Sequence, residues 1–376
     1  MASYWGQQLH ISIFGESHSR SVGVVIDGLP PGEFYDEDLI LAQMVRRAPG
    51  RQQWSTARTE ADVPEVQSGV FRQRTTGTPL AALIRNRDTR SQDYEDLIAL
   101  PRPGHADLTG LMRYDGANDP RGGGHFSGRL TAPLCYAGAV AIGILKRRGV
   151  SVHAHISSIA AVSDAALDPA APDLAALEAA AQAPFPVLDP AAGERMLDVI
   201  AQAKSDLDSV GGIVEVVATG FPPGIGDPMM GGLEPRIASL IYAVPAVKGL
   251  EFGAGFGATL RRGSENNDPP VLLDAADGSR RIRLASNHGG GADGGISNGM
   301  PLVCRVAIKP TPSIAKPQRS VNLESLSAEE LVVRGRHDPC IVPRAVPVLE
   351  GAVAIALLDS WLASGRFVRA ADLPSE

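Results

Sequence analysis

Two histidines stand in short polar loops where an imidazole ring can transfer protons. His18 follows a glycine and an apolar stretch, Leu9 to Phe14, which places it at the end of a predicted strand. His105 follows a Pro-Gly pair and precedes Asp107 by two residues. Histidine is the side chain whose charge changes nearest to neutral pH, and it is therefore the usual general acid or base. On either motif alone, a loop histidine hydrogen-bonded to a neighbouring carboxylate is the better explanation.

Arginine dominates the cationic residues, and three arginines cluster around one tight turn. Only five of the 35 lysine and arginine residues are lysines, and the segment Arg46 to Arg51 holds three arginines around Pro49-Gly50. Guanidinium groups form paired hydrogen bonds to carboxylate and phosphate, so this cluster predicts a site for a multiply charged anion. A solvated basic helix end is the alternative, and a GC-rich genome would also favour arginine without any functional meaning.

Two glycine-rich segments provide backbone that can approach a ligand closely. They run from Arg121 to Arg129 and from Asn287 to Gly299, and neither matches the dinucleotide-binding or the P-loop pattern. Consecutive glycines can form an anion-binding nest, although a flexible surface loop explains the first segment about as well. Gly295 to Gly299 fits the nucleophile pattern G-x-S-x-G, but no strand precedes it and no helix follows it. We therefore expect Ser297 to be a loop residue.

Asp338 stands between Arg336 and Arg344 in a segment bounded by prolines. An aspartate before proline is held in an extended conformation. The combination predicts either a proton-transferring carboxylate or a structural Asp–Arg pair at the start of a helix.

The composition excludes several classes of protein. The chain has 376 residues, of which 44% are hydrophobic and 20% charged, and a net charge of −7, which excludes intrinsic disorder and argues against nucleic-acid binding. Its longest uncharged stretch, Leu130 to Leu145, is shorter than the roughly 20 apolar residues that a membrane span needs. Three separated cysteines fit a reducing compartment, and residues 1–15 lack the pattern of a signal peptide. These features favour a soluble cytoplasmic enzyme.

Hydrophobic periodicity and helix-capping signals place recognisable elements between the loops. We predict helices over 133–148, 173–182, 194–204 and 347–363, and strands over 9–14, 150–156, 213–219 and 302–308. His153 and His155 alternate with apolar residues in the second of these strands, so we expect them on the solvated face of a sheet rather than at a metal site.

The order of these elements predicts the fold class. Strands and helices do not alternate regularly, which favours an α+β arrangement with antiparallel sheets packed on helices. We expect a single domain over residues 1–376, with the alanine- and proline-rich segment 163–202 as a peripheral excursion.

In chain order, these loops and several further motifs resemble those of the chorismate synthase family. The eleven matching motifs are Gly15-Glu16-Ser17-His18, Arg46-Arg47-Ala48-Pro49-Gly50, Gly77-Thr78-Pro79, Arg90-Ser91-Gln92-Asp93-Tyr94, Arg102 to Asp107, Arg121 to Gly124, Asp208-Ser209-Val210-Gly211-Gly212, Pro245-Ala246-Val247-Lys248-Gly249, Gly294 to Gly299, Lys309-Pro310-Thr311-Pro312-Ser313-Ile314 and Arg336 to Pro347. Each motif alone is weak, whereas so many in one order are specific. The segment 163–202 lies largely outside the resemblance.

The resemblance implies a fold and an activity. The fold would be a single large α+β domain in which antiparallel sheets sandwich central helices, a β-α-β sandwich with long glycine-rich active-site loops. The activity would be a lyase reaction that converts 5-enolpyruvylshikimate 3-phosphate into chorismate and phosphate by anti-1,4-elimination, the last common step of the shikimate pathway to the aromatic amino acids.

The resemblance also implies a cofactor and an assembly. The family uses reduced FMN without net redox change. No nicotinamide fingerprint is visible, so we expect NADPH to act only indirectly, through a flavin reductase. The family is typically a homotetramer, and we expect a cytoplasmic enzyme that acts on a small molecule and binds no metal, nucleic acid or membrane.

Positions in the family's motifs suggest roles for individual residues. His18 would protonate the leaving phosphate, His105 would protonate the reduced flavin, and Asp338 would help to remove a proton near the flavin N5. The substrate anions would be bound by Arg46, Arg47, Arg129 and Arg344, with Arg51 as a local addition. The flavin contacts would be made by His125, Phe126, Ser127, Ser239, Leu240, Gly294, Lys309, Pro310, Thr311, Pro312, Ser313 and Arg336.

The chain departs from the family pattern at a few positions. His125 and Phe126 replace the usual arginine and serine after the glycines, which changes contacts to the flavin phosphate or ring. Ser19 replaces a glycine, and Ala48 and Gln53 replace arginines of the anion loop. The three proton-transferring residues are retained, which favours an active lyase over a non-catalytic binder of flavin or of a phosphorylated acid. A serine hydrolase acting through Ser297 is the remaining alternative.

Overall fold

The computed structural model describes residues 3–50, 54, 60–87, 99–274, 280–333 and 338–373. Its α-helices are α1 (Glu37–Arg47), α2 (Asp107–Tyr114), α3 (Thr131–Lys146), α4 (Leu174–Gln182), α5 (Pro190–Ser205), α6 (Leu233–Ile241), α7 (Gly263–Asn266) and α8 (Val342–Ala363). The strands of the N-terminal half are β1 (Tyr4–Trp5), β2 (His10–Gly15), β3 (Ser21–Asp27), β4 (Pro64–Ser68), β5 (Val70–Phe71), β6 (Arg74–Thr75), β7 (Leu80–Arg85), β8 (Ser151–Ile159) and β9 (Val162–Ser163). Those of the C-terminal half are β10 (Gly212–Thr219), β11 (Val247–Phe252), β12 (Pro270–Asp274), β13 (Arg280–Leu284), β14 (Ala292–Asp293), β15 (Ile296–Ser297), β16 (Leu302–Ile308), β17 (Gln318–Asn322) and β18 (Ser327–Leu331).

The described strands form two five-stranded sheets, ordered β1-β2-β3-β7-β4 and β11-β16-β10-β8-β9. In the second sheet, β10 pairs with β16 from Gly212↔Ile308 to Ala218↔Leu302. Two-stranded ribbons β5–β6, β12–β13, β14–β15 and β17–β18 lie outside these sheets. The pairings within both sheets and all four ribbons are antiparallel, so the predicted α+β class is confirmed.

Two apolar helices, α3 and α8, lie between the sheets. α3 packs on β3 and β7, α8 packs on β8 and β10, and the two helices pack on each other. Two glycines permit a close approach, since a Cβ on Gly138 would stand 2.2 Å from the Cα of Gly351. The helical segments Gly128–Lys146, which includes α3, and Val342–Ala363, which is α8, are long and apolar enough for a membrane span, but 89% of each such window is buried inside the protein, as in core helices. The predicted sandwich of sheets around central helices is confirmed.

The predicted helices and strands are confirmed within a few residues, apart from the start of α8. We predicted that the last helix begins at Pro347, whereas α8 begins at Val342 with Pro343 in its first turn. Pro347 lacks an N–H, but its partner carbonyl would belong to Pro343, so only one hydrogen bond near the helix start is lost. α8 is buried on all sides, because it lies between two sheets.

The segment 163–202 covers the outer face of the second sheet. Leu177 of α4 packs there against Val217 and Val303, and all three side chains are buried. Buried apolar residues of both sheets and of α1, α3, α5, α6 and α8 form one continuous core. The single domain over 1–376 stays a prediction.

The expectation that His155 lies on a solvated face is wrong. Its side chain is 1% exposed, with Nδ1 3.0 Å from Oδ2 of Asp164 and Nε2 3.2 Å from Oε1 of Glu215. Burial lowers the pKa of His155, but hydrogen bonds to the two carboxylates outweigh it and raise the pKa to about 9. His153 on the same strand is half-buried. Periodicity identifies the faces of a strand, but it does not reveal which distant segment covers each face.

Candidate active site

A cavity of about 660 Å³ opens where loops from both halves of the chain meet. Its lining residues lie within the segments 47–49, 102–109, 122–131, 242–248, 309–313 and 338–348, together with Ser17. This volume is in the range of sites that bind cofactors and small molecules. Six of the lining residues are arginine or lysine and only one, Asp338, is acidic, so the cavity suits an anionic ligand.

The glycine run Gly122–Gly124 brings the two candidate histidines together. All three glycines have left-handed φ angles, of 62°, 83° and 53°, which other residues adopt only with strain. A Cβ on Gly122 would stand 2.7 Å from the ring of His18, and a Cβ on Gly123 would stand 3.1 Å from the ring of His105. Glycine is therefore required for both rings to pack against one loop.

Two charged residues, Asp107 and Arg102, contact Nδ1 of His105. Its Nδ1 lies 2.5 Å from Oδ1 of Asp107, and Arg102 contacts both residues. Burial raises the pKa of Asp107, but hydrogen bonds from Arg102 and His105 outweigh it and hold that pKa well below its usual range. Asp107 is therefore a carboxylate at neutral pH.

Three of the predicted substrate-binding arginines, Arg47, Arg129 and Arg344, line the cavity. The buried carboxylate of Asp62 pairs with both Arg47 and Arg129, and Arg344 pairs with Asp338 at 2.5 Å. Burial raises the pKa of Asp62, but the two guanidinium groups outweigh it and keep that pKa below its usual range. These arginines are held in place before any ligand binds.

Arg46 has a different environment from its neighbour Arg47. Its guanidinium forms two hydrogen bonds, of 2.5 and 2.9 Å, to the buried carboxylate of Glu350 on α8, and it is not among the cavity-lining residues. The structure thus places Arg46 in an ion pair between α1 and α8. Arg51 lies outside the described residues.

Part of the predicted flavin segment lines the cavity, namely Lys309, Thr311, Pro312 and Ser313, whereas Pro310 is exposed beside it. Thr311 Oγ1 is buried and has no hydrogen-bond partner among the described residues. Lys309 donates a hydrogen bond of 2.5 Å to the carbonyl of Gly104. Burial and the neighbouring Lys248 lower the pKa of Lys309. This segment offers the hydroxyl of Thr311 and the ammonium group of Lys309 to a ligand, and Lys248 lines the same cavity.

His125, Phe126 and Ser127 also line the cavity. His125 donates from Nδ1 to the carbonyl of Gly15 at 2.8 Å, and its Nε2 is hydrogen-bonded to Oγ of Ser3 at 2.5 Å. Phe126 packs on α2, since its ring would stand 2.8 Å from a Cβ on Gly110. His125 and Phe126, which replace the family's usual arginine and serine, therefore connect the glycine run to the N-terminal segment and to α2.

Three other predicted flavin residues are not brought to this cavity. Ser239 and Leu240 lie on α6, where Ser239 accepts a hydrogen bond of 2.6 Å from Trp5 and Leu240 is buried in the core. The cavity is lined instead by Tyr242–Lys248, the segment that follows α6. Gly294 lies in the turn between β14 and β15, away from the lining residues. Arg336 lies outside the described residues.

Sequence reasoning gave several residues no role in the site. The expected pairing of His105 with its neighbouring carboxylate, Asp107, is confirmed, whereas Arg102 in the same motif was not singled out. Asp62 lies 15 residues from Arg47 and 67 from Arg129, and nothing in the sequence marks it as their shared partner. Lys248 stood in the matching motif Pro245–Gly249, but it was given no role in the site.

Ser297 has the environment of a structural residue. It is buried, donates a hydrogen bond of 2.6 Å to the carbonyl of Pro222 and accepts one of 2.9 Å from the N–H of Ile225. These contacts join two loops and leave its hydroxyl turned toward backbone. Ser297 is itself the second residue of the short strand β15, so the expectation that it lies in a loop is wrong. The three cysteines are free and buried.

Comparison with known proteins identifies the family of the chain. A family model described as chorismate synthase matches residues 9–362. The chain is 46% identical over 358 residues to the chorismate synthase of Pyrococcus abyssi (strain GE5 / Orsay), which covers 95% of this chain and 97% of that protein. It is 47% identical over 365 residues to that of Archaeoglobus fulgidus, with 97% and 98% covered. A crystal structure of chorismate synthase superposes with a TM-score of 0.74 at 28% identity, covering 96% of this chain and 93% of the other. The chain belongs to the chorismate synthase family.

Proposed function

We propose that this protein is a lyase that eliminates phosphate from 5-enolpyruvylshikimate 3-phosphate to form chorismate, with reduced FMN as cofactor. The observation that supports this best is the meeting of His18, His105 and an arginine-lined cavity at one glycine run. The substrate carries a phosphate and two carboxylates, so it needs several cations in one place. An acidic protein can supply them because the sign of charge in the cavity differs from that of the whole chain.

Three of the four arginines that line the cavity are proposed to bind the substrate. Arg47, Arg129 and Arg344 bind the substrate anions, and their orientation is set in advance by Asp62 and Asp338. Preorganised donors of this kind lose little conformational freedom on binding and stabilise charge that develops as phosphate leaves. Arg51 is proposed as an additional contact. Arg46 acts indirectly, by anchoring the end of α1 to α8.

Three side chains are proposed to move protons. His18 protonates the leaving phosphate, His105 holds a proton against the bound cofactor, and Asp338 accepts a proton beside Arg344. The two histidines lie against adjacent glycines, so a ligand above that run lies within reach of both rings. Water is displaced from such a cavity when cofactor and substrate fill it, which strengthens each of these charged contacts.

The donor set of the cavity fits FMN. The buried, unpartnered hydroxyl of Thr311 and the ammonium groups of Lys309 and Lys248 suit the polar chain and phosphate of the cofactor. Ser313, Pro312 and the segment His125–Ser127 complete the proposed contacts in the cavity, and Pro310 and Arg336 are added from the family pattern. Reduced FMN, when bound, supplies electron density that assists the loss of phosphate, without net redox change. We propose that NADPH acts only through a separate reductase.

The proposal is tested by elimination in the absence of oxygen. Purified protein is given the enolpyruvyl substrate and chemically reduced FMN, and phosphate and chorismate are measured. We expect equal amounts of both products from the native protein. The rate of His18→Ala should be lower by about 100-fold or more. Native protein that releases no more phosphate than His18→Ala would overturn the proposal. Tight flavin binding without turnover would identify a non-catalytic binder instead.

We further propose a homotetramer in the cytoplasm. The ribbon β12–β13 supports self-association, because a two-stranded ribbon is marginal by itself and this one exposes Leu272 and Ile282. These residues face each other across the ribbon, at 63% and 76% exposure. A second copy of the chain would cover them. The free, buried cysteines suit a reducing compartment.

A further inference from the structure

Arg102 and Asp107 form a rigid pair behind His105. Both oxygens of Asp107 accept from Arg102: Oδ2 from the backbone N–H at 3.0 Å and from Nε at 2.7 Å, and Oδ1 from Nη2 at 2.8 Å. Arg102 is 5% exposed, and its Nη1 donates a hydrogen bond of 2.9 Å to Ser313. The pair therefore has a single orientation, fixed by both the backbone and the Lys309–Ser313 segment.

This orientation presents one oxygen to one ring nitrogen. Oδ1 of Asp107 lies 2.5 Å from Nδ1 of His105, and Nη2 of Arg102 lies 3.0 Å from the same nitrogen. Arginine only donates hydrogen bonds, and a carboxylate only accepts them. If Nδ1 carried a lone pair, it would stand against a carboxylate oxygen at repulsive distance. If Nδ1 carries the hydrogen, that hydrogen bonds to Asp107, and Arg102 satisfies the same carboxylate from its other side.

The opposite edge of the ring faces the cavity loop. A Cβ on Gly123 would stand 3.1 Å from both Cε1 and Nε2 of His105. His105 lines the large cavity, whereas Asp107 is not among its lining residues. Nε2 is thus the nitrogen available to a ligand, and Asp107 acts only from behind.

We propose that Asp107 is a positioning residue, which Arg102 locks in place so that His105 is held as the Nδ1–H tautomer and exchanges protons with the cavity through Nε2 alone. The charged ring then loses its Nε2 proton to the acceptor in the cavity, and the electron pair stays on Nε2. The product is the neutral Nδ1–H ring, whose remaining hydrogen still bonds to Asp107. No ring rotation or second proton movement is needed between the two states.

The role of this proton transfer in the reaction rests on the proposed function, whereas the tautomer of His105 can be measured independently of it. Protein labelled with 15N-histidine reports the tautomer directly, because ring nitrogens with and without hydrogen differ strongly in 15N chemical shift. The chain has eight histidines, and loss of one set of signals in His105→Gln assigns those of His105. We expect the Nδ1–H form in the native protein, recorded at a pH above which the His105 signals no longer change. A native Nε2–H form overturns the proposal without any change to Asp107.

Asp107→Asn tests the cause. The carbonyl of the asparagine remains with the two donors of Arg102, the backbone N–H and Nε, which turns its NH2 group toward Nδ1 of His105. We expect this amide to donate to Nδ1 and to convert His105 to the Nε2–H form. Asp115→Asn is the matched control, because it makes the same change at the exposed C-terminal end of the same helix, α2. An unchanged tautomer in a folded Asp107→Asn protein overturns the proposal.

Kinetics separate positioning from simple structural support. We expect kcat of Asp107→Asn to fall by about 10² to 10⁴ while KM for the substrate changes by less than about threefold. A raised KM with unchanged kcat, or a converted tautomer with unchanged kcat, overturns the positioning role. Native protein without elimination activity would refute the proposed function while the tautomer measurement still decides this inference.

Discussion

Two adjacent arginines at the C-terminal end of α1, Arg46 and Arg47, have different partners. Arg46 pairs with Glu350, 304 residues away, whereas Arg47 pairs with Asp62 and reaches the cavity. Successive residues on a helix are rotated by about 100°, so neighbours face different partners. At the scale of single residues, the carboxylate with which each arginine pairs determines whether its side chain reaches the cavity.

Asp62 is the residue on which two cavity arginines depend. Asp62→Asn removes the one negative charge that Arg47 and Arg129 share, and we expect a loss of roughly 3–5 kcal/mol in the free energy of unfolding. Urea denaturation measures it. Glu65→Gln is the control three residues away, because it breaks the exposed pair with Arg85 and should leave stability nearly unchanged. Equal effects of the two changes would refute the role of Asp62.

Gly122 tests the packing of His18. A methyl group at Gly122 would displace that ring and would also strain a backbone φ of 62°, so we expect Gly122→Ala to lower kcat by about 100-fold or more. Gly257→Ala places its methyl group in open space at ordinary φ and should leave kcat unchanged. The elimination assay compares them, and an active Gly122→Ala protein would show that the glycine is not needed to seat His18.

The central helices define the fold at the scale of elements. α3 and α8 are largely apolar and buried on nearly every side, since each packs on the other and on a sheet. α8 also carries Glu350 toward α1 and Asp359 toward the N-terminal loop, where Asp359 accepts backbone hydrogen bonds from residues 7–9. The helix that fills the core therefore also fixes two loops.

The crossing of α3 and α8 depends on Gly138 and Gly351. Because a Cβ on Gly138 would meet the backbone of α8, we expect Gly138→Ala to destabilise the protein by about 1–3 kcal/mol or more. Gly143→Ala lies on the same helix, where its methyl group meets only the Cβ of Asp36 at 3.9 Å, and it should be neutral or slightly stabilising. Thermal unfolding of both variants tests this; comparable melting temperatures would contradict the close crossing.

His155 makes the attachment of segment 163–202 dependent on pH. Its pKa rises from an ordinary value of 6.5 to about 9 on folding, so its contribution, about 3 kcal/mol, is complete below pH 6.5 and disappears as the pH rises through 9. We expect the difference in Tm between the native protein and His155→Gln to be largest near pH 6 and to shrink toward pH 10. A difference that stays constant over this range would exclude a charged His155.

At the scale of the whole molecule, charge and exposed apolar surface are distributed unevenly. The chain carries a net charge of −7, yet its cavity is lined by six cations and one acid. The ribbon β12–β13 exposes apolar side chains, whose contact with water is unfavourable. The first feature suits an anionic ligand, and the second suits a second copy of the chain.

The exposed ribbon predicts how assembly responds to mutation. Placing a charge at its centre, with Ile282→Glu, should lower the mass of the assembly measured by sedimentation, because a carboxylate would have to be buried in the contact. Ile282→Val keeps the apolar surface and should leave the mass unchanged. An Ile282→Glu protein with the native mass would place the contact elsewhere.

The sequence by itself determined the fold class, the family and eight of the helices and strands. Hydrophobic periodicity and capping residues are local signals, and the glycine and arginine motifs keep their order along the chain. Only the tertiary structure decided that Arg47 rather than Arg46 lines the cavity, that Asp62 joins two arginines, and that His155 is buried. Each of these facts depends on a partner or a covering segment that is distant in sequence or turned by folding, and neither composition nor spacing carries that information.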